Sequence, residues 1–233
     1  MISLLQDNLK KVQENIRKAC KKAGRNEEEV TLIAVSKTKP LSDLEEILDA
    51  GVIEFGENKV QELCDKFEHI KSPVHWHMIG HLQTNKVKYI VDKVCLIHSV
   101  DSLKLANQIS KEAEKKQVEC DVLIEVNVAQ EESKFGITTD ETLALIREVA
   151  ALPHVHIKGL MTIAPFVDDP EENRPVFRSL YELSKTVAKE QIPDVSMEIL
   201  SMGMTNDYMV AIEEGATMVR VGTGIFGERN YNI

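Results

Sequence analysis

Thr31–Pro40 reads TLIAVSKTKP. The apolar, partly β-branched run at its start suits a strand buried on both faces, as in a parallel sheet. Lys37 follows directly, and Lys39 shares its side-chain parity two residues on. Pro40 presets the backbone for a first helical turn and pushes Lys39 into an extended loop. A lysine past a strand end is either a solvated charge or an amine held in a pocket. Which of these Lys37 is depends on the sheet to which its strand belongs.

Apolar runs of the same kind recur at 30–36, 52–57, 74–80, 94–100, 121–128, 156–163, 196–202 and 216–222. Amphipathic segments lie between them, such as Ser102–Lys116 and Thr139–Leu152, many opening on Ser, Thr or Asp. Those side chains accept hydrogen bonds from the free N–H groups of a first helical turn. Strand–helix alternation repeated eight times predicts a single (β/α)₈ TIM barrel over residues 1–233. A doubly wound open sheet would want G-x-G-x-x-G after its first strand, and the sequence has none there. An extra N-terminal helix, Leu4–Ala23, precedes the barrel, with Leu5, Leu9, Val12 and Ile16 at helical spacing and Gly24 as its stop.

Barrels of this kind carry their chemistry at the C-terminal strand ends. Lys37 is therefore expected to point into the mouth, and Lys39 to be a solvated residue ahead of Pro40. Other strand ends bring Glu57 and Asn58, then His81, Gln83 and Asn85. After the seventh run come Ser201 and Gly203, and after the eighth Gly222, Thr223 and Gly224. Glycines let backbone N–H groups approach an anion, hydroxyls add donors, and these two loops are where barrels commonly hold a phosphate. Arg220 lies inside an apolar run, where an unpaired guanidinium is costly. It needs either a carboxylate or a ligand. Lysine amine, anion cradle and buried arginine together suggest a phosphorylated aldehyde held as a Schiff base: pyridoxal 5′-phosphate.

The bulk composition narrows the partners. A formal net charge of -10 argues against a nucleic-acid or anionic-membrane surface. The N-terminus has no signal-type apolar segment, and no run approaches a membrane span, so a cytoplasmic protein is expected. Cys20, Cys64, Cys95 and Cys120 lie far apart and read as reduced thiols. Histidine pairs occur at His75/His77 and His154/His156, but neither has a carboxylate or cysteine at ligand spacing, and no metal site is expected. G-x-S-x-G is absent too.

The motifs AVSKTKP, FGENKVQE, WHMIGHLQTNK, IHSVDS, EVNVAQEESKFG, GLMTIAP and LSMGMTNDYMVAIEEGATMVRVGTGIFGER occur in this order over nearly the whole chain. In them the sequence resembles the pyridoxal phosphate homeostasis proteins (the YggS/PROSC type). Thr205, where serine is common, is a mild departure. The resemblance implies a fold-type III barrel with pyridoxal phosphate as an internal aldimine on Lys37. It implies that Ser201, Gly222 and Thr223 hold the phosphate, that Arg220 lies beside the cofactor near the pyridine nitrogen, and that Asn58 and His81 line the pocket.

Two roles follow from such a site. One is a non-catalytic carrier that buffers the cofactor or supplies it to apo-enzymes, expected here as a monomer. The other is amino-acid racemization, since the same barrel begins alanine racemases. A two-base racemase needs a second proton-transfer group opposite the lysine. In alanine racemases it is a tyrosine from a C-terminal β domain, for which this sequence has no counterpart. Tyr89 and Tyr181 fall in expected helices, Tyr208 near the seventh strand and Tyr231 in the tail. A cofactor-free Schiff-base aldolase would also use a barrel lysine, with less need of a phosphate cradle.

Overall fold

The computed structural model describes residues 3–131 and 134–228. Its eight strands are β1 (Thr31–Val35), β2 (Glu54–Glu57), β3 (His75–Met78), β4 (Leu96–Val100), β5 (Cys120–Glu125), β6 (Val155–Met161), β7 (Val195–Met204) and β8 (Met218–Val221). They pair in parallel in chain order and close into a barrel through β1 and β8. In that closing pair Ile33 lies beside Arg220 and Ala34 beside Val221. The loop that carries Lys37 therefore runs next to the turn that carries Gly222 and Thr223.

The helices are α1 (Leu4–Ala23), α2 (Leu41–Asp49), α3 (Val60–His69), α4 (Leu103–Lys116), α5 (Thr139–Ala150), α6 (Arg174–Lys189), α7 (Tyr208–Glu213) and α8 (Thr223–Phe226). The crossover after β3 differs from the expected α-helix: Thr84–Tyr89 forms a 3₁₀ helix, which Tyr89 ends. Most of the core lies between strands and helices, where Phe55, Leu44, Ile47 and Leu63 are fully buried. Inside the barrel a smaller cluster joins Leu96, Leu123 and Met161. Side chains alternate along a strand. So the face of β4 with Leu96 also carries His98, that of β5 with Leu123 also Glu125, and that of β8 with Met218 also Arg220.

α1 ends as expected, with Gly24 in the left-handed conformation at φ 68°. Its apolar stripe, Leu9, Val12, Ile16, Ala19 and Cys20, is buried against α7, α8 and α2. Each large aliphatic side chain so buried contributes about 1.5–3 kcal/mol. Polar ties fix the register. Asn8 Nδ2 donates to Ile225 O at 3.2 Å, and Arg25 Nη1 donates to Ile212 O and Ala216 O. The extra helix thus braces the last turn of the chain's barrel, beside the mouth.

Candidate functional site

A cavity of about 630 Å³ opens at the C-terminal ends of the strands. Lys37, Asn58, Arg220, Gly222 and Thr223 line it together, as the sequence suggested. Thr205 and Lys39 also face it.

The Lys37 loop is held from below by a charge network. Ser36 is fully buried, and its hydroxyl donates to Glu57 Oε1 at 2.5 Å. Lys66, on the buried face of α3, donates to Ser36 O (2.7 Å), Glu57 Oε1 (2.7 Å) and Glu62 Oε1 (2.8 Å). Glu62 in turn accepts from Thr38 N. One ammonium therefore fixes the residues on both sides of Lys37. Burial raises the Glu57 carboxyl above its ordinary pKa, and Lys66 pulls it back. Asn58 is placed by close backbone contact. A Cβ on Gly80 would come within 2.5 Å of Asn58 O, so only glycine lets the β3 turn approach the β2 turn this closely.

The opposite wall comes from β7 and β8. The N–H groups of Gly222 and Gly224 both point at Thr205 Oγ1, each at 3.3 Å. Backbone donors and hydroxyls thus converge across the cavity from the lysine. Asp207 shapes the β7 turn by accepting from Met204 N (2.7 Å) and Asn173 Nδ2 (2.8 Å). Arg220, 4% exposed, donates through Nη1 to Ser201 Oγ (2.7 Å) and through Nη2 to Thr162 O (2.9 Å). Among the described residues no carboxylate lies within ion-pair distance of it. Burial lowers its pKa to about 10, against the pull of Glu125 and Asp207, and it stays charged at neutral pH.

Three expectations change in the structure. Ser201 lies within β7, fully buried behind Arg220, and does not line the cavity. β7 runs to Met204, beyond the expected end at 202, so the first hydroxyl past the strand is that of Thr205. His81 is held by protein contacts instead: its ring stacks on Phe135 with centroids 3.8 Å apart, and Asp101 is close. Lys39 is not a solvated charge. Its Nζ donates to the carbonyls of Phe226 (2.8 Å), Gly227 (3.3 Å) and Glu228 (3.1 Å), as many acceptors as an ammonium has hydrogens.

The tyrosines take other places. Tyr208 is buried, with its hydroxyl accepting from Asn15 Nδ2 of α1 at 3.1 Å. Tyr89 lies under Lys86 and Lys88, and Tyr181 under Lys185. Tyr231 lies outside the described residues.

A polar chain also crosses the barrel interior from Ser201. Its Oγ is 2.9 Å from His98 Nδ1, and His98 Nε2 is 2.9 Å from His77 Nδ1. His77 Nε2 is 2.7 Å from Glu54 Oε2, whose other oxygen meets His75 Nδ1 at 2.7 Å. Burial holds His98 well below its ordinary pKa, hence neutral. Glu54 is the carboxylate partner that chain spacing did not show for His75 and His77, because it arrives from the neighbouring strand. Glu119 likewise serves His154 and His156, at 2.8 and 2.9 Å.

Comparison with known proteins agrees with the barrel. The alanine racemase N-terminal domain model matches residues 8–230. The pyridoxal phosphate homeostasis protein of Aquifex aeolicus is 48% identical over 226 residues, 97% of this chain and 98% of that protein. A crystal structure of an unknown protein from Bifidobacterium adolescentis superposes with a TM-score of 0.90 at 34% identity, covering 95% of this chain and 94% of the other. PipY of Synechococcus elongatus, solved with pyridoxal phosphate bound, gives 0.80 at 32% identity, covering 91% and 100%. By fold, length matched and identity, the chain belongs to the alanine racemase N-terminal-domain family and, within it, to the pyridoxal phosphate homeostasis proteins.

Proposed function

We propose that this chain binds pyridoxal 5′-phosphate, held covalently through Lys37, and takes part in vitamin B6 homeostasis by buffering the cofactor or supplying it to apo-enzymes. The observation that carries the reading is the β1–β8 closure. It brings Lys37 into one cavity with Thr205, Gly222 and Thr223, with a buried guanidinium in the wall. These groups fit a phosphorylated aldehyde. Amide and hydroxyl donors suit phosphate oxygens, and a lysine suits the carbonyl.

When bound, the cofactor supplies an aldehyde that amines add to and a ring that draws electrons. The chain's residues divide the remaining tasks. Lys66 and Glu62 hold the backbone on either side of Lys37, which fixes the loop that carries it. Lys39, committed to three carbonyls, ties the β1 loop to the segment after α8 and leaves Lys37 as the nucleophile. Arg220 only donates at neutral pH, so it can orient an acceptor atom but cannot take up a proton there. Asn58 supplies a neutral amide to the cavity from the lysine's side.

The test is spectroscopic. The purified protein should show visible absorbance, and borohydride reduction followed by peptide mapping should place the label on Lys37. A colourless protein, or label on Lys39 with Lys37 unmodified, would refute the site. Racemization assays on the same sample separate carrier from enzyme: turnover that Lys37→Ala abolishes would replace the carrier role with catalysis.

A further inference from the structure

The far end of the barrel carries a second constellation. Glu54 opens β2, His77 lies in β3 and Cys95 immediately precedes β4. Three neighbouring strands thus bring an oxygen, a nitrogen and a sulfur together at the end opposite the cavity. His77 Nε2 is 2.7 Å from Glu54 Oε2 and 3.5 Å from Cys95 Sγ, and all three donor atoms lie within 4.8 Å of one another. Among the described residues this is the one such group of three.

We propose that this end of the barrel binds a divalent d-block cation, with zinc as its probe, through Cys95 Sγ, His77 Nε2 and Glu54 Oε2, leaving a fourth position toward solvent. The donor types are those zinc takes, and its usual bond lengths put nitrogen and sulfur about 3.6 Å apart in a tetrahedron. The observed separation of 3.5 Å already meets that spacing. Nitrogen and oxygen would need to open to about 3.4 Å. Glu54 is partly exposed at the start of its strand, and its other oxygen meets the exposed His75. Cys95 is open to solvent on one side, which gives an ion a way in.

The protons balance. Without metal the thiol donates to Trp76 O at 3.3 Å. Metal uptake forms the metal–sulfur bond and expels that one proton to solvent. The His77 proton then resides on Nδ1 and donates to His98 Nε2, and His98 donates from Nδ1 to Ser201 Oγ. In the metal-bound state each ring then carries its proton on Nδ1. His98 thereby acts as the outer-shell partner that fixes the tautomer of a ligating histidine, a role that commonly accompanies such ligands. The same shift frees the Ser201 hydroxyl hydrogen to point elsewhere.

The experiment uses the full chain, without a histidine tag and with its cofactor, equilibrated with zinc in a chelator buffer. One equivalent of zinc should be retained, and X-ray absorption at the zinc edge should show one sulfur neighbour at about 2.3 Å. Cys95→Ser, at an exposed position, should lose the sulfur neighbour and bind at least about tenfold more weakly. His154→Ala, at the separate surface pair, should change neither. Failure to retain zinc, a zinc shell without sulfur, or a Cys95→Ser protein that binds as tightly as the parent would each overturn the proposal. Zinc retention is independent of visible absorbance, so this site and the Lys37 site can fail separately.

Discussion

Glu125 offers a quantitative test of the barrel interior. It ends β5 on the inward face, is 4% exposed, and its Oε2 has no hydrogen-bond partner. Desolvation, then the nearby Asp101 charge, push its pKa from 4.5 up to about 7, against the pull of Arg220. A carboxyl whose folded pKa is raised stabilises the fold while protonated. That stability is fully present below about pH 4.5 and is lost as pH rises through about 7. Between pH 5 and pH 8 the loss amounts to about 2–3 kcal/mol. Glu125→Gln replaces the carboxyl with a neutral amide of the same shape, which has no proton to lose. Relative to the parent, the variant should therefore gain about 2–3 kcal/mol of stability between pH 5 and pH 8, read from urea midpoints of both proteins across that range. Other titrating groups are common to the two proteins and cancel. A difference that stays flat with pH would refute the reasoning, because Glu125 would then be ionised throughout.

Three further outcomes are expected. Lys66→Met leaves the Glu57 carboxylate buried without its partner and should destabilise the protein by about 3–5 kcal/mol in urea unfolding. Adding Glu57→Leu should recover much of that loss, whereas no recovery would mean that Lys66 acts by packing alone. Gly80→Ala forces a Cβ to within 2.5 Å of Asn58 O. It should cost about 1–3 kcal/mol and weaken cofactor retention, measured by absorbance after dialysis. Arg220→Lys keeps the charge but cannot span Ser201 Oγ and Thr162 O together. A drop of roughly tenfold in cofactor affinity, followed by fluorescence titration, should result, and unchanged affinity would remove Arg220 from the site.

The barrel was legible because its evidence is periodic: buried parallel strands appear as apolar runs, and Lys37 ends one of them. Direction at the strand ends was harder to read. Ser201 and Thr205 lie in the same motif, and which hydroxyl reaches the cavity depends on where β7 stops. An apolar run does not mark that point, since Met202 and Met204 extend it without a break. His81 was placed by its strand end and by the family resemblance, and neither contains its stack on Phe135, which comes from a distant part of the chain. Lys66 did leave a signal, as a lysine in line with Val60 and Leu63 on the buried stripe of α3. Glu54, His77 and Cys95 left none, because residues become neighbours across strands by register, which chain spacing does not contain. The same holds for Lys39, whose carbonyl partners lie at the other end of the described chain.

Pairing β1 with β8 has a consequence for biosynthesis. A ribosome delivers Lys37 long before Gly222, Thr223 and Gly224. A nascent chain that has reached only β7 carries Lys37 without Gly222, Thr223 or Gly224, and α1 has no α7 or α8 to cover its apolar stripe. The pocket therefore cannot mature piecemeal during translation. Any truncated product that stalls before β8 exposes its first helix instead of holding cofactor, which gives quality-control machinery a simple mark of incompleteness.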